Sequence, residues 1–166
     1  FNSSGELEWS TYYGGTSTEY AYSVATDPSG NLYVTGFTAS SDCPTQAGTG
    51  VFTGAYFDST FAGHEVFILR FNNTGILEWA SFYGGANIDQ PHSITTDPSG
   101  NIYLTGYTGS SDFKTEATGA FSGAYLDNML TSEDAFLLRF TDIGKLEWAT
   151  LFGGSESDQG YSITTD

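Results

Sequence analysis

Three carboxylates stand at one repeated spacing: Glu19, Asp89 and Asp158 each lie five residues after the first glycine of a Gly-Gly pair, at Gly14-Gly15, Gly84-Gly85 and Gly153-Gly154. Oxygen ligands in that number could gather a hard cation such as Ca²⁺, or a polyol. An acid at the same place in every copy also suits a plainer task, accepting hydrogen bonds from backbone N–H groups of its own loop. The plainer task is the one expected. Asp42 and Asp112 each follow a Ser-Ser pair where a long connection begins. They are read as turn caps first and as ligand-binding groups second. Tyr56 and Tyr125, in matching Gly-Ala-Tyr-x-Asp segments, could stack on sugars. Their repetition favours packing against the scaffold. Asn2 and Asn72 begin Asn-x-Ser/Thr patterns, which mark glycosylation acceptors on an exposed face.

Apparatus for catalysis is not visible. The sequence contains no Gly-x-Ser-x-Gly elbow, His-Glu-x-x-His, phosphate loop, dinucleotide fingerprint or Asp-x-Asp-x-Asp-Gly calcium loop. Cys43 aligns with Phe113, His92 with Tyr22 and Tyr161, and His64 with Glu133. The cysteine is therefore read as an apolar filler and His92 as packing. Apart from that possible Ca²⁺, no cofactor is expected, and the chain is not expected to be an enzyme.

Those residues are positioned by an internal repeat. Phe1–Trp9 returns at Phe71–Trp79 and again, after a nearly identical interval, at Phe140–Trp148. Asp27-Pro28-Ser29-Gly30-Asn31 returns as Asp97-Pro98-Ser99-Gly100-Asn101, and the third copy stops at Asp166. Between the turns lie short runs of strand formers, such as Leu32-Tyr33-Val34-Thr35 and Val66-Phe67-Ile68-Leu69. The expected strands are Tyr22–Asp27, Asn31–Thr38, Glu65–Phe71 and Ile76–Tyr83, then His92–Asp97, Asn101–Thr108, Asp134–Phe140 and Lys145–Phe152. No segment has a helical period. Four antiparallel strands repeating at about 70 residues describe an all-β protein, a β-propeller whose ring is incomplete in this segment. Residues 1–15 would be the outer strand of a preceding blade, 16–85 and 86–154 two whole blades, and 155–166 the inner strand of a following one. Trp9, Trp79 and Trp148 would wedge between blades. The long connections Ala39–His64 and Gly109–Glu133 would fall together on one face, the natural place for binding.

In each full repeat the motifs Gly-Gly-x3-Asp/Glu, Asp-Pro-Ser-Gly-Asn-x-Tyr-x-Thr-Gly and Ser-Ser-Asp-x-x-Thr follow in that order. This order resembles the SBBP β-propeller repeat of bacteria and archaea and, more distantly, NHL-type blades. Ser40–Pro44 and Ser110–Lys114 each depart by one residue from the usual Ser-x-Asp-Phe-Pro. The resemblance implies a propeller in a large secreted or surface-attached protein, and implies no reaction.

Composition narrows the partners. Four Lys and Arg against 20 Asp and Glu leave a net charge of −16 in 166 residues. Nucleic acids and anionic membranes are disfavoured, because both need clustered cations. No run approaches the roughly 20 apolar residues of a membrane span. The chain begins at Phe1 rather than Met, so a fragment or processed product is expected. The expected role is a non-catalytic segment of an extracellular or cell-surface protein, used for adhesion, ligand display or assembly. Its partners would be further blades of the same chain, other copies, glycans or cell-surface proteins. The alternatives are a structural spacer in a filament or sheath, or part of a glycan hydrolase or lyase whose active site lies in other blades.

Overall fold

The computed structural model describes all residues from Phe1 to Asp166. It contains two antiparallel sheets. Strands β1 (Glu19–Thr26), β2 (Leu32–Thr38), β3 (Glu65–Phe71) and β4 (Leu77–Tyr83) form the first, in that order. Strands β5 (Asp89–Thr96), β6 (Ile102–Thr108), β8 (Asp134–Phe140) and β9 (Leu146–Phe152) form the second, and the two-residue β7 (Glu116–Ala117) is added at its β9 edge. All eight strands expected inside the two full repeats are present, with small shifts at some ends.

Turn chemistry sets the strand ends. In Asp27-Pro28-Ser29-Gly30-Asn31 the Asp27 carboxylate accepts from the N–H groups of Ser29 (2.9 Å) and Asn31 (3.0 Å) and from the Asn31 amide (2.7 Å). Asp97 repeats all three bonds. Gly30 and Gly100 take φ of 78° and 84°, a left-handed conformation that a side chain resists. In the turn before β4, Asn72 Oδ1 accepts from the N–H groups of Thr74 and Ile76. Asn2 does the same for Ser4 and Glu6. Both Asn side chains thus shape a turn.

The sheets pack face to face. Tyr33, Val66, Ile68, Trp79 and Tyr83 of the first sheet share one core with Ile102, Leu104, Phe136, Leu138, Phe140 and Leu151 of the second. The opposite face of the first sheet carries Phe67, Leu69, Phe71, Ala80, Phe82 and Cys43. Covered on both faces, β3 is buried at all seven positions. Its counterpart β8 has the same apolar character, yet its burial alternates, because one face lacks a neighbour.

The chain ends differ from expectation. Residues 1–15 and 155–166 form no ladder and are not strands. A strand exists only with a paired neighbour, and the sheets these segments would join are not among these residues. They nevertheless lie where β4 and β5 lie in the next repeat. Trp9 sits 5.7 Å from the Phe71 ring, as Trp79 sits 5.8 Å from Phe140. The Tyr13 hydroxyl donates to the Pro44 carbonyl, as Tyr83 donates to Lys114. At the other end Ile163 N–H donates to Ser93 Oγ, as Ile94 N–H donates to Ser23 Oγ. One packing relation therefore recurs across successive repeats.

The long connections do not project from a face. Residues 39–64 run along the free edge of β4. Gln46 exchanges two backbone hydrogen bonds with Ala80, a 3-10 turn at Gly50–Phe52 follows, and the chain returns past Trp79, whose indole N–H donates to the Tyr56 carbonyl at 2.7 Å. Residues 109–133 repeat the path along β9, through β7, a turn at Gly119–Phe121 and Trp148, which donates to the Tyr125 carbonyl at 2.8 Å. Each connection is a strap that covers a sheet edge, where unpaired amides would otherwise invite association.

Candidate functional site

Glu19 with Asp42, and Asp89 with Asp112, converge on the first two Gly-Gly loops, and Asp158 reaches the third. After Gly14, three successive amides are each held by a different side chain. Gly15 N–H donates to Glu19 (3.0 Å), Thr16 N–H to Asp42 (2.9 Å) and Ser17 N–H to Ser40 Oγ (2.7 Å). The second repeat builds the same cage. Gly85 N–H donates to Asp89 (2.7 Å), Ala86 N–H to Asp112 (2.9 Å) and Asn87 N–H to Ser110 Oγ (2.9 Å). In the third, Gly154 N–H donates to Asp158 at 2.7 Å. The Gly-Gly and Ser-Ser-Asp motifs, separate in the sequence, are two halves of one loop clamp.

That geometry accounts for the glycines. A Cβ on Gly84 would overlap the carboxylate oxygens of Glu65 and Asp89, and one on Gly85 would overlap Asp112. Glu19, Asp89 and Asp158 belong to three successive clamps, and no group of three or more His, Cys, Asp or Glu side chains is arranged to hold a metal ion.

Charge in the clamps follows their surroundings. At exposed Asp42 the Thr16 N–H holds the carboxyl below its usual range. Burial pulls Glu19 upward, but hydrogen bonds from Ser40, Thr38 and Gly15 outweigh it, and the group ends below its ordinary value. Asp89 is fully buried and burial wins there, raising it despite the bonds from Thr108, Gly85 and Ser110. Glu65, only 2% exposed, is pushed up to about 7, first by burial and then by the charges of Asp89, Asp58 and Asp112.

The two tyrosines part company. Tyr56 is half-buried between the sheets, 5.0 Å from the Tyr83 ring and 6.1 Å from Phe140, with Lys114 Nζ 4.9 Å from its ring centre. Tyr125 holds the same place in the second repeat, where no further sheet covers it, and is 58% exposed. Cys43 is buried in the second apolar cluster, where burial raises its thiol. His92 stacks on Tyr161 with ring centres 4.9 Å apart.

A relay at the opposite end of each sheet went unread in the sequence. The Tyr33 hydroxyl donates to Asp27 and accepts from Arg70 Nε (3.0 Å), while Arg70 pairs with Glu78 and lies 4.2 Å from the Phe52 ring centre. Tyr103, Asp97, Arg139, Glu147 and Phe121 repeat it. Two of the chain's four cations are thus spent inside the scaffold. Arg70 and Arg139 stand one repeat period apart, a signal that was available. Beside Arg70 a groove of about 440 Å³ runs between the two Asp-Pro-Ser-Gly turns, with Asn31, Phe52 and Asp142 in its wall.

Residues 8–42 and 78–114 match the family described as beta-propeller repeat, SBBP. Each matched stretch carries one complete loop clamp. Both stretches are similar to the SBBP beta-propeller repeat. The second SBBP match covers β4 of one sheet and β5 and β6 of the next, so the repeat straddles the joint between sheets. The chain is also 29% identical, over 98% of its length, to an uncharacterized WD repeat-containing protein of Acanthamoeba polyphaga mimivirus. It spans 12% of that protein's length.

Proposed function

We propose that this SBBP repeat segment is a non-catalytic scaffold within a larger secreted or cell-surface protein, presenting its surface for adhesion, ligand display or assembly. One observation carries this reading. The repeated acids that could serve chemistry, Glu19, Asp42, Asp89 and Asp112, are all engaged with backbone amides of their own repeat. The recurring head-to-tail packing supports blades of a propeller, since one relation repeated by rotation closes a ring. The first sheet keeps an apolar groove of about 340 Å³ beside Trp9, Tyr13 and Phe67. The second sheet keeps Tyr103, Trp148 and Phe152 on its uncovered face, at positions equivalent to those buried in the first. Further blades of the same chain, or other copies, fit those two faces. The charge of −16 suits a surface exposed to solvent.

The test is location and size. An antibody raised against strap 39–64 should label intact cells, and the polypeptide should run far above 17.8 kDa under denaturing conditions. Labelling that appears only after permeabilisation would overturn the surface assignment.

A further inference from the structure

A ribbon of aromatic rings crosses all three repeats at the edge strands. Phe37 and Tyr20, direct partners across β2 and β1, stack at 5.4 Å. Tyr20 leads to Tyr22 at 6.4 Å, and Tyr22 meets His92 of the next sheet edge-on at 6.1 Å. His92 in turn faces Tyr107 at 5.7 Å and Tyr161 at 4.9 Å.

The backbone aims these rings. A β-bulge falls between Ala21 and Ser23 in β1, and the matching bulge falls between Pro91 and Ser93 in β5. Tyr22 and His92 are the two bulged residues, and a bulge re-aims the side chain it carries. Opposite each bulge stands a glycine, Gly36 or Gly106, where any Cβ would overlap the facing carbonyl of Tyr20 or Gln90. Two of these rings stand on a paired strand and are open to solvent: Tyr20 is 55% and Tyr22 42% exposed. A contiguous run of this kind differs from singly scattered apolar residues, which need no explanation.

The polar tips along the ribbon are held by hydrogen bonds. His92 Nδ1 lies 3.1 Å from the Gly160 carbonyl, which can only accept, so Nδ1 carries the proton and Nε2 faces the Gln90 amide nitrogen at 3.4 Å. The hydroxyls of Tyr107 and Tyr161 donate to the amide oxygens of Gln90 (3.3 Å) and Gln159 (2.9 Å). No Asp, Glu, Lys or Arg stands at positions 20, 22, 37, 90, 92, 107, 159 or 161, in a chain of net charge −16. Of the acids, Glu133 and Asp89 come near enough to bear on the Tyr107 phenol. Open ring faces flanked by amide and phenol tips, without charge, complement a ligand with apolar C–H faces and many neutral hydroxyls.

We propose that this ribbon is a binding site for neutral glycan chains, with Tyr20, Tyr22 and Tyr161 as stacking platforms and Gln90 and Gln159 as hydrogen-bonding groups. The site deepens the display role above and rests on it. Its ring positions change between repeats (Tyr22, His92, Tyr161), whereas the loop-clamp aspartates Asp42 and Asp112 do not.

The experiment is a binding screen of the intact protein against neutral and charged oligosaccharides, with basic peptides in parallel. Tyr22→Ala and Tyr161→Ala should each weaken neutral-glycan binding about tenfold, the loss of one stacking contact. Tyr22→Phe should keep most of it, and Val51→Ser on the strap should change nothing. Thermal melting of each variant reports whether it folds, and Tyr161→Ala tests the ribbon independently should Tyr22→Ala fail. An empty neutral screen, binding indifferent to both tyrosines, or capture of basic peptides instead would overturn the assignment. Surface labelling separates the two proposals: labelled cells with an empty screen sink only the ribbon, and an internal protein sinks the display role.

Discussion

At the scale of single residues, the acids of this chain act on backbone rather than on ligand. Gly84 is one tight point of the clamp, where the carboxylates of Glu65 and Asp89 close over the loop from two successive repeats. Gly84→Ala should cost about 3 kcal/mol, the upper end for forcing a methyl into a packed site, read as a lower denaturant midpoint at unchanged slope. A neutral outcome would mean the clamp can open without loss. Because Asp89 and Asp158 are engaged by loop amides, chelator should leave the melting temperature unchanged. A fall of several degrees would restore calcium to these acids. The spacing that marked Glu19, Asp89 and Asp158 was legible. Asp42 and Asp112, which follow Glu19 and Asp89 at one fixed interval, were legible as residues but not as partners. Pairing across a loop depends on how β1 and β2 turn back on each other.

At the scale of elements, the straps are held by few, specific bonds. Trp79 is fully buried, and its indole N–H reaches back along the chain to the Tyr56 carbonyl. Trp79→Phe keeps a ring but leaves that carbonyl without its donor, a loss of about 1 kcal/mol from the hydrogen bond alone. Hydrogen exchange should then quicken in residues 39–64 before it quickens in β2 or β3. Uniform quickening across the sheet would show that the strap is not a separable unit. The strands were readable because turn residues and β-formers alternate along the chain. The straps were not. Their path is decided by the free edges of β4 and β9, and nothing within Ala39–His64 announces that its neighbour is a strand formed well downstream.

Across the whole molecule, buried charge predicts an acid-favouring stability profile. Glu65 titrates near 7 in the folded protein against an ordinary value of 4.5. Between those values the folded state holds more protons than the unfolded state, so stability falls as pH rises through the window. The full difference is about 3 kcal/mol, absent below the lower value and complete above the upper one. Asp89 is shifted the same way. At Asp27 and Asp97 burial pulls upward, but the turn hydrogen bonds prevail and hold both below their usual range. Their contribution is present above the ordinary aspartate value and is lost as pH falls through their depressed values. The melting temperature should therefore climb from pH 8 to about 5 and drop in stronger acid. Glu65→Gln should flatten the climb, and an unaltered slope would move its cause to other groups.

The repeat, the strands and the kind of turn joining them follow from residue types alone, because φ preferences and side-chain-to-backbone bonds act within a single turn of chain. The all-β class was readable for that reason, and the order of the motifs carried the resemblance to the SBBP repeat. Which acids share a loop, what covers Tyr56, and where the long connections run were decided only by tertiary structure. Each depends on which sheet lies alongside, and that neighbour is set by packing between segments a whole repeat apart in the sequence.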